Sequence, residues 1–284
     1  MNHWRPRKRR HFGSTKQKKI LYDCLILLAG VVALISIIHI VSYHGQKRND
    51  QQSTEELNEI MEAATTIPIV EEPTAKPIIT PTPTDMPSKL LVVAYEKKDN
   101  DARIEGIKAL SEQHEDIIGW IKIEGMLDEA VVQRDNEYYL DHDATGKKNI
   151  NGALFLDAIV DLSTRPYSLV IYGHNMRSGA KFGNLYKYED ERFLTSHRRI
   201  SFDTIHEAGT YEIFAAGVFD TSELDIFFLN TLDVRRRMEM IEKVREIASV
   251  DTGIDVSLAD QLLFLITCVD DDQDRRFVVA KRVE

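Results

Sequence analysis

Residues 20–43, ILYDCLILLAGVVALISIIHIVSY, form the segment that most constrains this chain, because they contain no lysine or arginine and a single acid, Asp23. About 20 mostly apolar residues suffice to cross the hydrocarbon core of a bilayer as a helix. The two polar side chains, Asp23 and His39, lie near the ends, and Tyr22 and Tyr43 suit the aromatic belts of a membrane interface. We therefore predict one transmembrane helix over residues 20–43 and a folded part of the chain that lies outside the membrane.

The charges before this segment predict its orientation. Eight basic residues and no acids lie within residues 1–19, and few basic residues follow directly after Tyr43. By the positive-inside rule the N-terminus is cytoplasmic and the rest of the chain is exported. A cleaved signal peptide is the main alternative, but its apolar region is normally shorter and no small-x-small cleavage site follows Tyr43. A basic nucleic-acid-binding arm is the weaker alternative.

The remainder of the chain is strongly acidic. Of 36 basic and 46 acidic residues, 28 and 45 respectively lie beyond residue 43. Such a balance argues against a nucleic acid as partner, since phosphates repel an acidic surface. The two cysteines, Cys24 and Cys268, are too few for a disulfide-dense scaffold or a multi-cysteine metal site.

Composition divides the exported part into a stalk and a folded domain. Six of the eight prolines fall between Pro68 and Pro87, many beside threonine. Proline at this density favours extended backbone and removes amide donors. We predict a basic tail at 1–19, the transmembrane anchor at 20–43, a stalk at 44–95 and the catalytic or binding domain at 96–284.

Short apolar runs separated by turn signals dominate the folded part. A helical spacing over 103–113 comes first, and a longer helix is predicted over 233–249, with Asp233 as its cap and Met238, Ile241, Val244, Ile247 and Ala248 on its apolar face. Eight strand candidates in fewer than 190 residues suggest a mostly antiparallel sheet or closed barrel. They lie at 120–123, 130–133, 153–156, 168–173, 200–202, 211–219, 262–268 and 276–283.

Cys268 is the only cysteine of the exported part, so it has no intramolecular disulfide partner there. It ends the apolar run LLFLIT, directly before the polar loop VDDDQD. A strand end is a rigid platform that can present a thiol at the rim of a sheet, and an unpaired thiol in an exported domain can be reactive. A buried structural cysteine is equally compatible with the residues alone.

His174 has the same strand-end placement, because it follows SLVIYG and precedes the turn-rich segment NMRSGAKFG. A nearby imidazolium or guanidinium lowers the pKa of a thiol and makes it a nucleophile. Arg276 is the first residue of the strand RFVVAK. If that strand pairs with the cysteine strand, Arg276 lies beside the thiol, where it could stabilise an oxyanion. Arg275 would then point to the opposite face of the strand. A structural histidine and a solvated arginine remain open alternatives.

Several motifs, taken in order, resemble class B sortases. They are VIYGHNM at 170–176, ITC ending at Cys268, and RFVVAKR at 276–282. Further similarity lies in IIGWIKI at 117–123, VVQRDNEYYL at 131–140, ALFLD at 153–157 and FGNLYKYEDERFL at 182–194, and in the long helix before the cysteine strand. The resemblance spans about residues 104–284, nearly all of the folded part.

This resemblance implies a mostly β fold, a closed eight-stranded sortase-type barrel with added helices, displayed outside a Gram-positive cell. It implies a cysteine transpeptidase that needs no metal or organic cofactor. Cys268 would be the nucleophile, His174 the general acid/base and Arg276 the oxyanion-stabilising residue. Lower-ranked substrate-binding candidates are Thr267, Ile266, Asn175 and Tyr172. The implied partners are secreted proteins with a C-terminal sorting motif, and an amine acceptor such as lipid II, a peptidoglycan stem or bridge peptide, or a pilin lysine.

Three residues depart from the pattern of the family. Phe264 and Ile266 stand where threonine and serine are usual before the cysteine, and Ala130 stands where a proline is common. None of them removes a catalytic group, but Ile266 could change the wall of the substrate groove and hence the preferred motif.

The acidic loop Asp270, Asp271, Asp272 and Asp274 reads as solvated turn acids rather than a calcium site, because it lacks the glycine and distal glutamate of an EF-hand-type loop. Its charge would favour a cationic amine acceptor. Two other functions remain open: a non-catalytic surface module that binds peptides or wall polymer, and a surface cysteine hydrolase.

Overall fold

The structure, a computed structural model, describes residues 15–66, 88–164, 166–222, 233–269 and 273–283. It divides into two compact units, Met1–Arg48 and Asn49–Glu284. Helix α1 (Thr15–Thr66) has residues in both units. In the first unit, Tyr22–Ser42 is a 21-residue stretch of mean hydropathy 2.9, apolar and long enough to cross a membrane. The predicted span thus fits by length and composition, and its orientation stays a prediction.

The second unit is built on a mostly antiparallel sheet of nine strands. Its order is β5-β1-β2-β3-β4-β8-β9-β6-β7, and an additional pairing of β5 with β6 closes the first eight into a barrel. The predicted eight-stranded closed barrel is therefore confirmed. The strands are β1 (Ile117–Ile123), β2 (Leu127–Val132), β3 (Leu154–Leu156), β4 (Ser168–Tyr172), β5 (Arg199–Thr204), β6 (Thr210–Asp220), β7 (Ala248–Asp251), β8 (Leu262–Cys268) and β9 (Asp274–Arg282).

The buried side chains of the strands alternate between the two faces of the sheet and form two hydrophobic cores, one on each face. In β8, Leu263 and Leu265 point into the barrel, while Phe264 and Ile266 pack on the outer face beneath a helix. In β9, Val278 lies inside and Phe277 outside in the same way. Successive side chains of a strand point to opposite faces, so each residue of β8 and β9 can be assigned to one of these cores.

Helix α4 (Val234–Ile247) covers the outer face. As predicted, Asp233 caps it, because its carboxylate accepts hydrogen bonds from the backbone N–H groups of Arg235 and Arg236. The predicted apolar face needs a correction: Met238 is 47% exposed, whereas Met240 and Val244 are buried. The buried stripe lies on the 240–244 side of the helix, and Met238 falls outside it.

Helix α2 (Ser88–Gln113) and residues 49–66 of α1 pack on the barrel beside β1 and β2. Leu57 and Met61 are buried there together with Ile107 of α2. Gly106 allows the close approach of the two helices, since a Cβ at this position would lie 2.8 Å from the Met61 sulfur. Part of the segment predicted as a stalk is thus a packed helix, and residues 67–87, which hold its prolines, lie outside the described residues.

Two short 3-10 helices and one short α-helix also belong to the second unit. The 3-10 helices are Tyr138–Leu140 and Leu185–Glu189, and α3 is Glu191–Ser196. The first precedes the loop that reaches the edge of the sheet beside β4, and the second lies near the start of β9. Both therefore contribute to the candidate site.

Candidate active site

The parallel pairing of β4 and β8 brings the predicted nucleophile and base to one edge of the sheet. Tyr172 pairs with Ile266 in this register, and the Gly173 N–H donates to the carbonyl oxygen of Ile266 at 3.3 Å. His174 lies two residues after Tyr172, and Cys268 lies two residues after Ile266. Residues two apart on a strand point to the same face, so the side chains of His174 and Cys268 lie on the same face of the sheet and at the same height along the two strands.

Cys268 is the last residue of β8 and is half-buried, with a free thiol. The Val269 N–H donates to the Asp274 carbonyl oxygen at 3.0 Å, which joins β8 to β9 just beyond the cysteine. Three of the four acids predicted for this connection, Asp270–Asp272, lie outside the described residues, and the fourth, Asp274, begins β9. The thiol is held at the rim of the barrel by a backbone that is hydrogen-bonded on both sides.

The ring of His174 is fixed by a backbone carbonyl. Its Nε2 lies 2.7 Å from the carbonyl oxygen of Leu140. A carbonyl oxygen only accepts, so Nε2 must carry a proton, and Nδ1 is the nitrogen that gains or loses one. Gly152 packs against the same ring: its φ is +61°, and a Cβ there would lie 3.1 Å from Cδ2 of His174 and 2.5 Å from the Tyr139 carbonyl oxygen. Glycine at this position makes room for the histidine.

The loop after His174 folds back onto it. The N–H groups of Met176 and Phe182 both donate to the carbonyl oxygen of His174, at 3.1 and 3.0 Å. Gly183 has no room for a side chain, because a Cβ there would lie 1.9 Å from the carbonyl oxygen of Met176. The backbone of His174 is thus held by its own loop, while its side chain is held by the loop after residue 138.

The pairing of β8 with β9 places the two arginines differently from the sequence-based expectation that Arg276 lies beside the thiol and Arg275 on the opposite face. Arg275 pairs with Cys268, and Arg276 pairs with Thr267. Side chains of directly paired residues in an antiparallel ladder lie on the same face. Arg275 is therefore on the face of Cys268, and the expectation that it points away from the thiol is wrong.

The side chain of Arg276 is bound by Glu189 of the second 3-10 helix. Its Nε donates to Oε1 of Glu189 at 2.8 Å, and the arginine side chain is only 12% exposed. Nη1 of Arg275 donates to the Asp274 carbonyl oxygen at 3.1 Å. Arg276 also lines an open groove of about 450 Å³ together with Val269 and the loop of residues 175–184.

The four substrate-binding candidates differ in accessibility. Asn175 lines the groove beside the histidine loop. Tyr172 is half-buried, and its hydroxyl donates to Oδ2 of Asp157 at 2.9 Å; burial, and then this carboxylate, raise its pKa. Ile266 is 2% exposed and packs in the outer core, and Thr267 is 3% exposed. The structure thus leaves Asn175 open to a ligand and encloses Ile266 and Thr267.

Sequence reasoning did not single out Leu140, Gly152 or Glu189, although all three contact the candidate residues. Gly152 had a local signal, since a glycine between Asn151 and a strand is typical of a turn with positive φ. A carbonyl acceptor has no sequence signal of its own. Among the described residues, there is no group of three or more His, Cys, Asp or Glu side chains that could hold a metal ion.

Comparisons with known proteins identify the family of this chain. Residues 121–283 match the family model described as the sortase domain. The chain is 30% identical to sortase B of Listeria monocytogenes over 166 residues, which is 57% of this chain and 66%, just under two thirds, of that relative.

Solved structures give the same result. The structure of sortase B from Bacillus anthracis in complex with AAEK2 is 30% identical, covers 63% of this chain and 83% of its own, and has a TM-score of 0.59. The Staphylococcus aureus sortase B–substrate complex is 19% identical and supports the fold alone, with a TM-score of 0.67 over 84% of this chain and 98% of its own.

These matches support a cysteine transpeptidase enzyme. The family match covers more than half of the chain and includes Cys268, His174 and both arginines. The chain belongs to the sortase family, and its relatives place it among the class B sortases.

Proposed function

We propose that this protein is a membrane-anchored transpeptidase that cleaves a C-terminal sorting motif of secreted proteins and transfers the acyl group to an amine at the cell surface. The observation that carries the proposal is the parallel register of β4 and β8, which brings His174 and Cys268 level at one edge of the barrel. The apolar stretch Tyr22–Ser42 supports the anchor, with the N-terminus in the cytoplasm and the barrel outside.

Cys268 is proposed as the nucleophile and His174 as the general acid/base. The Cys268 thiolate attacks the carbonyl carbon of the scissile peptide bond, and the tetrahedral intermediate collapses to a thioester as the C–N bond breaks. Nδ1 of His174 supplies the proton that the departing amine needs. An incoming amine then attacks the thioester, gives its proton back to Nδ1 and releases Cys268 as a thiolate.

For the oxyanion-stabilising role the register favours Arg275, because it lies on the face of Cys268, whereas sequence reasoning favoured Arg276. A guanidinium on that face can donate N–H groups to the oxygen that becomes negative in the transition state. Arg276, held by Glu189 at the groove wall, is better placed to contact the peptide beside the scissile bond.

The proposed substrates are the sorting motif and an amine acceptor. The Staphylococcus aureus sortase B structure is described as a complex with substrate, and its likeness to this chain is one of fold. In this chain the groove beside Arg276 offers Asn175 and other loop residues to a peptide. The acceptor is proposed to be an amine of lipid II, of a peptidoglycan stem or bridge peptide, or of a pilin lysine.

The test uses the full chain in detergent micelles, in three forms: wild type, Cys268→Ala and Cys24→Ala. Each is incubated with a mixed set of sorting-motif peptides, with and without an amine acceptor, and the masses of protein and products are recorded. Cys24→Ala is the matched control, because it removes the other free thiol, which lies in the apolar stretch of α1.

We expect wild type and Cys24→Ala to form an acyl adduct that the amine converts to a ligated peptide, and Cys268→Ala to form none. An adduct that only water releases, with every amine offered, would favour a hydrolase. No adduct with any peptide, while a small thiol reagent still labels Cys268, would favour a binding module over an enzyme.

A further inference from the structure

Asp50 is a buried carboxylate that binds two separate loops of the barrel. It lies in the part of α1 that belongs to the second unit and is 7% exposed. Its Oδ1 and Oδ2 accept hydrogen bonds from the side-chain amides of Asn149 and Asn151, at 3.1 and 3.0 Å. Its Oδ1 also lies 3.4 Å from Nζ of Lys181. Both carboxylate oxygens of Asp50 therefore bind side chains of loops that lie more than 90 residues away in sequence.

The first of these loops supports the side chain of His174. Asn149 and Asn151 lie three residues and one residue before Gly152, which packs against the imidazole ring. The end of this loop is also hydrogen-bonded to the 3-10 helix that precedes it, since the Ala153 N–H donates to the Tyr139 carbonyl oxygen at 3.0 Å. The next residue after Tyr139 is Leu140, whose carbonyl oxygen accepts a hydrogen bond from Nε2 of His174.

The second loop supports the backbone of His174. Lys181 has a φ of +52°, the only described residue other than glycine in the left-handed region. It precedes Phe182, whose N–H donates to the carbonyl oxygen of His174. Lys181 is 6% exposed, and its Nζ lies 2.7 Å from Oε2 of Glu129. An ion pair with two carboxylates therefore holds this residue in a strained conformation.

The buried charges are balanced against each other. Burial alone lowers the pKa of Lys181, but Glu129 and Asp50 outweigh it and the net shift is upward. Removing one partner of a buried pair leaves the other charge uncompensated and costs more than an exposed contact does. In Asp50→Asn, Glu129 still binds Lys181, whereas the side-chain amides of Asn149 and Asn151 keep only one acceptor oxygen between them and one of the two loses its hydrogen bond.

We propose that Asp50, in the part of α1 after residue 48, is a positioning residue for His174 and acts through the Asn149–Asn151 loop and Lys181. This inference rests on the proposed role of His174. Asp50 does not touch the imidazole; it holds the two loops that fix its side chain and its backbone. Asp50 thus acts on His174 from a segment that the sequence analysis assigned to a stalk.

The test compares Asp50→Asn with Glu56→Gln in the full chain in detergent micelles. Both variants convert a carboxylate of the same helix to the matching amide, but Glu56 is exposed. Transpeptidation is measured as kcat and KM for the peptide. The tautomer of His174 is read from imidazole ¹⁵N shifts at a pH where the ring is neutral, with a His174→Asn sample to assign the signals.

We expect wild type and Glu56→Gln to show the Nε2–H tautomer. Asp50→Asn should show a mixture of tautomers, a kcat about tenfold lower and a peptide KM changed less than twofold. Asn151→Ala, which removes one arm of the same contact, should reproduce the effect, and the double variant should lose no more than the larger single loss. These results would not follow from general destabilisation, which would change folded fraction rather than tautomer.

An unchanged tautomer and kcat in Asp50→Asn would overturn the inference, as would an equal loss in Glu56→Gln. If Asp50→Asn does not fold, Asn151→Ala decides in the same way. A wild-type chain with no transpeptidase activity would contradict the proposed function instead, while the tautomer of His174 would still report on Asp50.

Discussion

The carbonyl oxygen of Leu140 holds Nε2 of His174 at 2.7 Å, although the two residues are 34 positions apart in sequence. Since the carbonyl only accepts, this contact selects the tautomer with a proton on Nε2 and leaves Nδ1 for proton exchange. Histidine at a strand end becomes useful in catalysis when its ring is oriented in this way. The backbone, rather than a carboxylate side chain, is the orienting group.

His174→Asn should lower the rate of transpeptidation by about 10²–10⁴-fold, the usual contribution of general acid–base catalysis. The side chain contributes little else, because its one described hydrogen bond is the contact with Leu140. The measurement is the initial rate of ligated product by mass spectrometry, and the control is His206→Asn, which changes an exposed histidine. A loss below fivefold for His174→Asn would remove it from the proposed mechanism.

Thr267→Val should raise the stability of the protein by about 1 kcal/mol, the lower end of the cost of an unmade buried hydrogen bond. Within the described residues, the Thr267 hydroxyl is buried and has no hydrogen-bond partner. Valine keeps its shape and removes the unsatisfied oxygen. Urea unfolding at constant detergent concentration measures the change.

Thr204→Val is the matched control for this substitution. The Thr204 hydroxyl donates to the Glu207 carbonyl oxygen at 3.2 Å and accepts from two backbone N–H groups. Valine there should therefore lower stability. If Thr267→Val is also destabilising, its hydroxyl has a partner in the protein. If it is stabilising but lowers activity, the hydroxyl binds substrate, as the sequence-based candidate role requires.

The pH dependence of stability should carry a contribution from Asp251 in β7. Burial raises the pKa of this carboxyl, but the hydrogen bond from the Gly253 N–H and the ion pair with Arg245 outweigh it, so the net shift is downward. The two Asp251 oxygens lie 2.6 and 2.8 Å from Nη1 of Arg245. A lowered folded-state pKa stabilises the protein above the unfolded value of 3.8 and ceases to do so as the pH falls through the folded-state value.

Asp251→Asn should accordingly be less stable than wild type at pH 7, and the difference should shrink as the pH falls below about 4. Thermal unfolding from pH 7 to pH 2 measures it, with Asp101→Asn as the exposed control. A difference that stays constant with pH would show that the hydrogen-bond geometry, rather than the charge of Asp251, stabilises this corner.

Local pattern was enough to predict most of the strands and the strand-end placement of Cys268 and His174. Apolar runs bounded by turn residues identify buried strands wherever they lie in the chain. Strand β7 (Ala248–Asp251) was missed and its first residues were assigned to the preceding helix, because Ala-Ser-Val-Asp at a sheet edge has little apolar character. The role of Asp50 had no local signal, since its partners are 99 and 101 residues away.

The faces of the two arginines could not be predicted because they depend on register. A slip of one residue between β8 and β9 moves every side chain to the other face, and the polar connection between these strands carries no apolar pattern that would fix it. The pairing of Cys268 with Arg275 follows instead from the buried pairs further along, such as Leu265 with Val278 in the barrel interior.

Arg275→Ala should therefore lower kcat/KM about 100-fold or more, in the range found for removal of one oxyanion-stabilising donor. Arg276→Ala breaks the pair with Glu189 and should mainly raise the peptide KM, with kcat within fivefold of wild type. Arg275→Lys should recover only part of the loss, because a lysine lacks the fork of N–H donors. Steady-state kinetics with one sorting-motif peptide and one amine distinguish these outcomes.

Glu189→Gln serves as the control for the second arginine, since it removes the charge partner of Arg276 and leaves both guanidinium groups in place. Its effect should resemble that of Arg276→Ala in direction and be smaller in size. The reverse pattern, with the large loss of kcat in Arg276→Ala and a small one in Arg275→Ala, would return the oxyanion role to Arg276. It would also mean that the guanidinium of Arg276 leaves Glu189 when substrate binds.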